Sequence, residues 1–239
     1  MQLLLRSMAA ALAVAACLGA AHAGSVQLIV TDKDDKPVPD VVVVIESASK
    51  ALAVPAAAPV VIEQRDLRFV PFLTVVPVGS TLRFVNRDDY DHHVRSTPSG
   101  PLGNTPAVSS FELRLDAALP AAAGPSDESR LRAVARKGGG PGAATTSADV
   151  RVDKAGAIGL GCHLHSSMRG QVYVSASPWF GKTDMNGAIV IDGVPDGAAD
   201  IRLWHADQLQ DQPVMHVTLT GAPLKATAQL NFTPRRRRS

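Results

Sequence analysis

The chain has 239 residues, a formal net charge of +2, 46% hydrophobic residues and 19% charged residues. This composition is typical of a globular protein, and the nearly balanced charge gives no general case for nucleic acid or for acidic partners. Two cysteines are too few for an iron–sulfur cluster, and neither lies in the C-x-x-C-H motif that attaches a c-type haem.

The first 23 residues have the features of an export signal. One charged side chain, Arg6, precedes a short apolar run (8–21) and the small-residue site Ala21-His22-Ala23. We therefore predict a cleaved signal peptide, residues 1–23, and a periplasmic or secreted protein. A lipoprotein box ending at Cys17 is the alternative. No later hydrophobic stretch is long enough to cross a membrane.

Strand patterns dominate the mature chain. Val26–Val30 and Val41–Ile45 flank a polar turn, and the second segment is β-branched throughout, which predicts a strand buried on both faces. Further short strands follow between residues 60 and 85, with Pro and Gly turn residues between them. Short strands at close spacing predict an all-β sandwich or barrel.

Two adjacent histidines follow these strands. Residues 86–94 have the sequence NRDDYDHHV, so either His92 or His93 can supply an imidazole. The acidic residues of this segment predict a solvated turn. Alternatively, they steer a cationic partner towards the histidines.

Residues 117–147 interrupt the strand pattern. This segment is rich in Ala, Gly and Pro, which predicts a mobile surface insertion. Its basic residues 130–137 either touch a partner or keep the loop solvated. Strands resume near Val150.

The segment from Cys162 to Met168 carries the chemistry of the chain. Cys162, His165 and Met168 follow the spacing C-x2-H-x2-M. A thiolate, imidazoles and a weak axial thioether are the ligand set of a blue-copper electron-transfer site, with one further histidine from elsewhere. Once the signal peptide is removed Cys162 is the last cysteine, so it cannot form an intramolecular disulfide, and ligation explains an unpaired thiol in an exported protein.

The C-terminal part adds further strands. An Asn-Gly hairpin turn at residues 186–187 precedes strands near 188–191 and 201–205. Residues 235–239 are predicted to be a disordered basic tail, which could bind anionic lipid or polyanions.

These motifs resemble the cupredoxin family, which includes plastocyanin, pseudoazurin and amicyanin. The C-x2-H-x2-M-R-G spacing is most similar to that of amicyanin. The wider layout resembles exported bacterial proteins labelled plastocyanin-like or methylamine utilisation proteins. Two segments show this resemblance. One is DKDDKPVPDVVV at residues 32–43, which has Asp35 where those proteins have Gly, and the other is residues 183–205.

The resemblance implies a Greek-key cupredoxin-like β-sandwich over residues 24–234. Its copper-binding core would be 63–176, with accessory strands at 24–62 and 177–234. The resemblance also implies that His92 is the first equatorial ligand, together with Cys162 and His165, that Met168 is axial, and that His165 is nearest the surface. His93 would occupy the position at which the small cupredoxins use Asn to brace the two ligand loops.

The same residues allow other interpretations. Cys162 could be a buried small side chain, and zinc could occupy the site because it also accepts His and Cys, although Met is not a zinc ligand. His163 raises the possibility of a second copper, but His205 and His216 are isolated, so we expect no catalytic second site.

The sequence therefore predicts an exported type 1 copper protein that carries single electrons between redox partner proteins, as a monomer and not as an enzyme. One alternative is a redox-silent protein that binds or delivers copper. Another is a metal-free β-sandwich binding module.

Overall fold

The computed structural model describes residues 23–100, 102–103, 105–118 and 145–235. Every regular secondary-structure element within these ranges is a β-strand, which confirms the predicted all-β fold. The predicted signal peptide apart from Ala23, most of the predicted insertion and the last four residues of the basic tail lie outside these ranges. No helix among the described residues is long and apolar enough to span a membrane.

The described ranges contain sixteen strands. They are β1 (Ala23–Thr31), β2 (Val42–Ser47), β3 (Val60–Arg65), β4 (Arg68–Val70), β5 (Leu73–Pro77), β6 (Ser80–Asn86), β7 (His92–Thr97), β8 (Glu112–Leu115), β9 (Ser147–Val152), β10 (Gly156–Gly161), β11 (Arg169–Ser175), β12 (Trp179–Lys182), β13 (Ala188–Pro195), β14 (Gly197–Trp204), β15 (Met215–Leu219) and β16 (Leu224–Gln229).

The N- and C-terminal strands form one pair of sheets, the terminal sandwich. One sheet has the order β13-β1-β16 and the other β12-β2-β14-β15. Alternate side chains of β1 and β2, among them Leu28 and Ile45, are buried in a single hydrophobic cluster between these sheets. The strands predicted as accessory therefore pair with each other and enclose a core of their own.

The central strands form a second pair of sheets, with the orders β4-β3-β6-β9 and β5-β11-β10-β7-β8. Their shared cluster contains Ile62, Phe84, Val94 and Leu160, together with Cys162. β3 begins at Val60 and pairs with β4 and β6 of this central sandwich. The residues predicted to bind metal all belong to the central sandwich or to its loops.

A third hydrophobic cluster joins the two sandwiches. Val42 and Val44 of β2 pack there with Leu73 of β5, and Tyr173 and Trp204 are packed against them. Both faces of β2 are thus covered, which confirms the two-sided burial predicted from its β-branched sequence.

The order of the five-stranded sheet positions the metal-ligand candidates. β10 is hydrogen-bonded to β7 on one side and to β11 on the other, and both pairs are antiparallel. β10 ends at Gly161, which is opposite Arg95 of β7 and Arg169 of β11. The loop from Cys162 to Met168 therefore leaves the sheet at the same end at which β7 begins with His92.

Candidate metal centre

Three side chains converge at this end of the central sandwich. Sγ of Cys162 lies 3.9 Å from Nδ1 of His92 and 3.7 Å from Nδ1 of His165, and the two Nδ1 atoms are 3.2 Å apart. Among the described residues, this is the group of His, Cys, Asp and Glu side chains close enough to share one metal ion. His92 and Cys162 are buried and His165 is half-buried.

The separations of the three atoms fit a single ion. Nitrogen and sulfur ligands lie about 2.0–2.3 Å from an ion such as zinc, so at tetrahedral to trigonal angles they are roughly 3.3–3.8 Å from one another. The observed distances, from 3.2 Å to 3.9 Å, agree with this range to about 0.1 Å at either end. The donor set, one soft sulfur and two imidazole nitrogens, suits a transition metal rather than Mg²⁺ or Ca²⁺.

The short loop between β10 and β11 presents two of the three ligands. Its last turn is closed by the N–H of Met168, which donates to the carbonyl of His165 over 3.0 Å. The guanidinium of Arg169 donates to the carbonyl of Met168 over 2.9 Å. These two bonds hold the conformation of the loop. The loop is short, because the next strand begins at Arg169, immediately after Met168.

His92, not its neighbour His93, belongs to the centre. Alternation along β7 buries His92 with Cys162 and turns the side chain of His93 to the other face. The main chain of His93 still contributes, because its N–H donates to Sγ of Cys162 over 3.4 Å. The bracing predicted for the His93 side chain is therefore made by its backbone.

Asp88 orients His92. Its carboxylate lies 2.8 Å from Nε2 of His92, and since a carboxylate can only accept, Nε2 carries the proton. Nδ1 is then the ring nitrogen that faces Cys162 and His165. A carboxylate on the far nitrogen is a common support for a metal-binding histidine.

Burial and hydrogen bonding act in opposite directions on Asp88. Burial alone raises the pKa of its carboxyl, but hydrogen bonds from His92 and from the N–H groups of Asp66 and Leu67 outweigh burial and lower the pKa overall. The carboxyl therefore remains ionised in the folded protein. The prediction that the acidic residues of this segment form a solvated turn is wrong for Asp88, which is buried.

Asn86 shapes the turn that carries Asp88. Its side-chain carbonyl accepts the N–H of Asp88, while its amide donates to the carbonyls of Tyr90 and Asp116, each over 2.8 Å. Sequence reasoning missed both residues. The available signal was the Asn-x-Asp spacing, because an Asn side chain that bonds the N–H two residues on is a common turn device.

Tyr90 is a third residue that the sequence did not point to. Its ring centroid lies 5.2 Å from that of His92 and 5.3 Å from that of His165, edge-on to both. Partial burial, followed by the nearby charge of Asp88, raises the pKa of its hydroxyl. The ring therefore stays neutral beside the two histidines.

Met168 is buried in the same hydrophobic cluster as Cys162. Its predicted role as an axial ligand stays a prediction.

His205 and His216, predicted to be isolated, lie in or next to strands of the terminal sandwich: His205 follows β14 and His216 is on β15.

Comparison with known proteins gave matches among solved structures. No protein-family profile and no curated protein sequence matches the chain. A reduced amicyanin variant is 18% identical, covering 55% of this chain and 98% of its own, with a TM-score of 0.32. Amicyanin from Paracoccus versutus is 18% identical, with coverages of 55% and 97% and a TM-score of 0.32.

A Cu-containing nitrite reductase from Thermus scotoductus SA-01 is also similar. It is 17% identical over 54% of this chain and 27% of its own, with a TM-score of 0.33. Amicyanin, a member of the family that the sequence resembles, is thus among the structural neighbours. At these scores the likeness carries no argument about the centre, which rests on the residues of this chain.

Proposed function

We propose that this protein is an exported copper protein that carries single electrons on one type 1 copper ion. His92, Cys162 and His165 are its equatorial ligands and Met168 is axial. The observation that carries the proposal is the convergence of one Sγ and two Nδ1 atoms, 3.2 to 3.9 Å apart, at the edge of a hydrophobic core. A copper ion bound there would supply one-electron chemistry, since a thiolate suits the cuprous state and imidazole suits both states.

The surroundings of the ligands favour an electron carrier because they resist rearrangement. Asp88 fixes the His92 ring, and the bond from Met168 to His165 fixes the loop. A site held this firmly changes little between oxidation states. The N–H of His93 withdraws electron density from Sγ of Cys162, and hydrogen bonds to a ligand sulfur are one means by which proteins set a reduction potential.

The exposure of the ligands suggests where electrons enter and leave. His165 is the ligand nearest the surface, since His92 and Cys162 are buried. The adjacent Leu164 is 53% exposed. A redox partner protein would therefore approach at His165, and the protein acts as a carrier rather than as an enzyme.

Voltammetry tests this proposal against a redox-silent copper protein. We expect the copper-loaded mature protein to give a reversible one-electron wave. Met168→Leu, which keeps side-chain volume but removes the thioether, should retain copper and shift the potential to a higher value, because a weak donor to the cupric ion is lost. A protein that holds copper without a reversible wave would contradict the carrier function, and an unchanged potential would contradict the axial role of Met168.

A further inference from the structure

A second group of metal-binding side chains lies on the outer face of the five-stranded sheet. Nε2 of His163 is 3.2 Å from Oε1 of Glu112, and Nδ1 of His93 is 4.0 Å from the same oxygen. The two imidazole rings are 6.0 Å apart between centroids and nearly perpendicular. Two imidazoles thus meet at one carboxylate, although no two of the three residues are adjacent in sequence.

The strand register brings these residues together. His93 of β7 is opposite Arg114 of β8 and Arg95 is opposite Glu112, so His93 and Glu112 are diagonal neighbours on one face. Gly161 at the end of β10 is opposite Arg95. His163 follows two residues later and lies beside His93, on the face opposite to the one that buries His92 and Cys162.

The donor set suits a borderline divalent ion. Two imidazole nitrogens and one carboxylate oxygen form a recurrent set for zinc with an open position, and they also suit cupric ion. Ligand atoms of such a site lie roughly 3.3 Å apart, because each is about 2.0 Å from the ion. The contact from His163 to Glu112 already meets this spacing, and that from His93 exceeds it by less than 1 Å. The nitrogens of His93 and His163 are more than 4.8 Å apart, so the two imidazoles must move towards each other to bind one ion.

These side chains have the freedom to close on an ion. The side chains of His163, Glu112 and His93 are 43%, 60% and 27% exposed. Solvent can reach the remaining coordination positions. Exposed pairs of His and a carboxylate contribute little to stability by themselves, so stability alone does not explain a third converging side chain.

We propose that His93, His163 and Glu112 bind a second metal ion, Zn²⁺ or Cu²⁺, separate from the first centre. His163 directly follows Cys162 and His93 directly follows His92. An ion here is therefore one peptide unit away from each of two ligands of the first centre. The site needs no copper in the first centre, so it stands independently of the proposed electron-carrier function.

Titration with zinc tests the proposal. We expect calorimetry on the mature, metal-free protein to show two zinc ions, because the first centre also accepts zinc. His163→Asn and Glu112→Gln should each weaken one of the two binding events at least tenfold or abolish it. His216→Asn is the matched control, because His216 forms an exposed pair with Asp200 over 2.7 Å and belongs to no group of three such side chains in the described part of the chain. It should change neither event.

A double variant that lacks the first centre distinguishes zinc binding at the two sites. In Cys162→Ser/His92→Asn, which disables the first centre, one zinc ion should still bind, and His163→Asn should remove it. Cupric ion in the same background should show hyperfine coupling to two imidazole nitrogens by electron paramagnetic resonance, and His163→Asn should remove this coupling. Unchanged zinc affinity in both His163→Asn and Glu112→Gln, or an equal loss in His216→Asn, would overturn the proposal.

Failure here is distinguishable from failure of the first centre. The second-site variants leave Cys162, His92 and His165 intact, so the thiolate-to-copper absorption reports on copper binding at the first centre alone.

Discussion

Asp88 holds one nitrogen of His92 so that the other faces Cys162, and its own position is fixed by N–H donors from Asp66 and Leu67. The centre thus depends on a residue that would not touch the metal. A histidine without this support could rotate or change tautomer, and its nitrogen would then no longer point at the ion.

Asp88→Asn should weaken copper binding about 10- to 100-fold, the usual effect of removing a partner of a metal-bound histidine. The substitution keeps the shape of the side chain but removes the charge that fixes the proton on Nε2. Competition with a chromophoric chelator measures the change. Asp89→Asn is the control, because Asp89 is exposed, and equal affinities for the two variants would contradict the role of Asp88.

At this scale, the sequence predicted the side chains that converge at the centre but not the residues that support them. Cys162 and His165 are three residues apart in one loop, so their proximity follows from local geometry. The burial of Asp88 depends on main-chain donors more than twenty residues away, in the turn between β3 and β4. Local charge therefore predicts a solvated turn, which is wrong for Asp88.

The contact between β7 and β10 sets the distance between the two parts of the centre. Gly159 of β10 lies against the main chain at the end of β7: a Cβ atom at this position would be 2.9 Å from the carbonyl oxygen of Thr97 and 2.7 Å from that of Pro98. Because backbone cannot rotate away as a side chain can, a larger residue must push the strands apart.

Gly159→Ala should therefore destabilise the protein by about 1–3 kcal/mol, the usual range for overpacking, and weaken copper binding. Urea denaturation measures the first effect and copper titration the second. Gly161→Ala provides a graded control, since its Cβ would meet the end of the Thr97 side chain at 3.2 Å. A larger loss for Gly161→Ala than for Gly159→Ala would contradict this account.

Individual strands were predictable from the sequence, but their partners were not. The β-branched run at β2 and the alternation in β1 indicate strands without any tertiary information. The parallel pairing of β1 with β16 joins segments nearly two hundred residues apart, and no local pattern specifies such a contact.

At the scale of the molecule, the described part of the chain forms two sandwiches joined by the cluster around Leu73. Val42 and Val44 of the terminal sandwich and Leu73 of the central sandwich are all buried there. The sequence predicted accessory strands on one sandwich because hydrophobic patterning shows that a face is buried without showing what buries it. The position of Leu73 implies that the two sandwiches support each other.

Leu73→Ala should cost about 2–5 kcal/mol, as for other fully buried leucines, and should lower the midpoint of denaturation. Val190→Ala is a control in the terminal sandwich, because Val190 is 58% exposed, and it should change stability by less than about 0.5 kcal/mol. Similar losses in the two variants would show that the cluster does not stabilise the molecule.

The absorption spectrum of the mature protein with one equivalent of cupric ion tests the central proposal most directly. A thiolate bound to copper should give an intense blue band, and Cys162→Ser should remove it, since the serine hydroxyl cannot replace the thiolate. We expect the band in the parent protein and its loss in the variant. A parent protein that binds no copper, or a band that persists in Cys162→Ser, would contradict the assignment of Cys162, His92 and His165 as a type 1 copper centre.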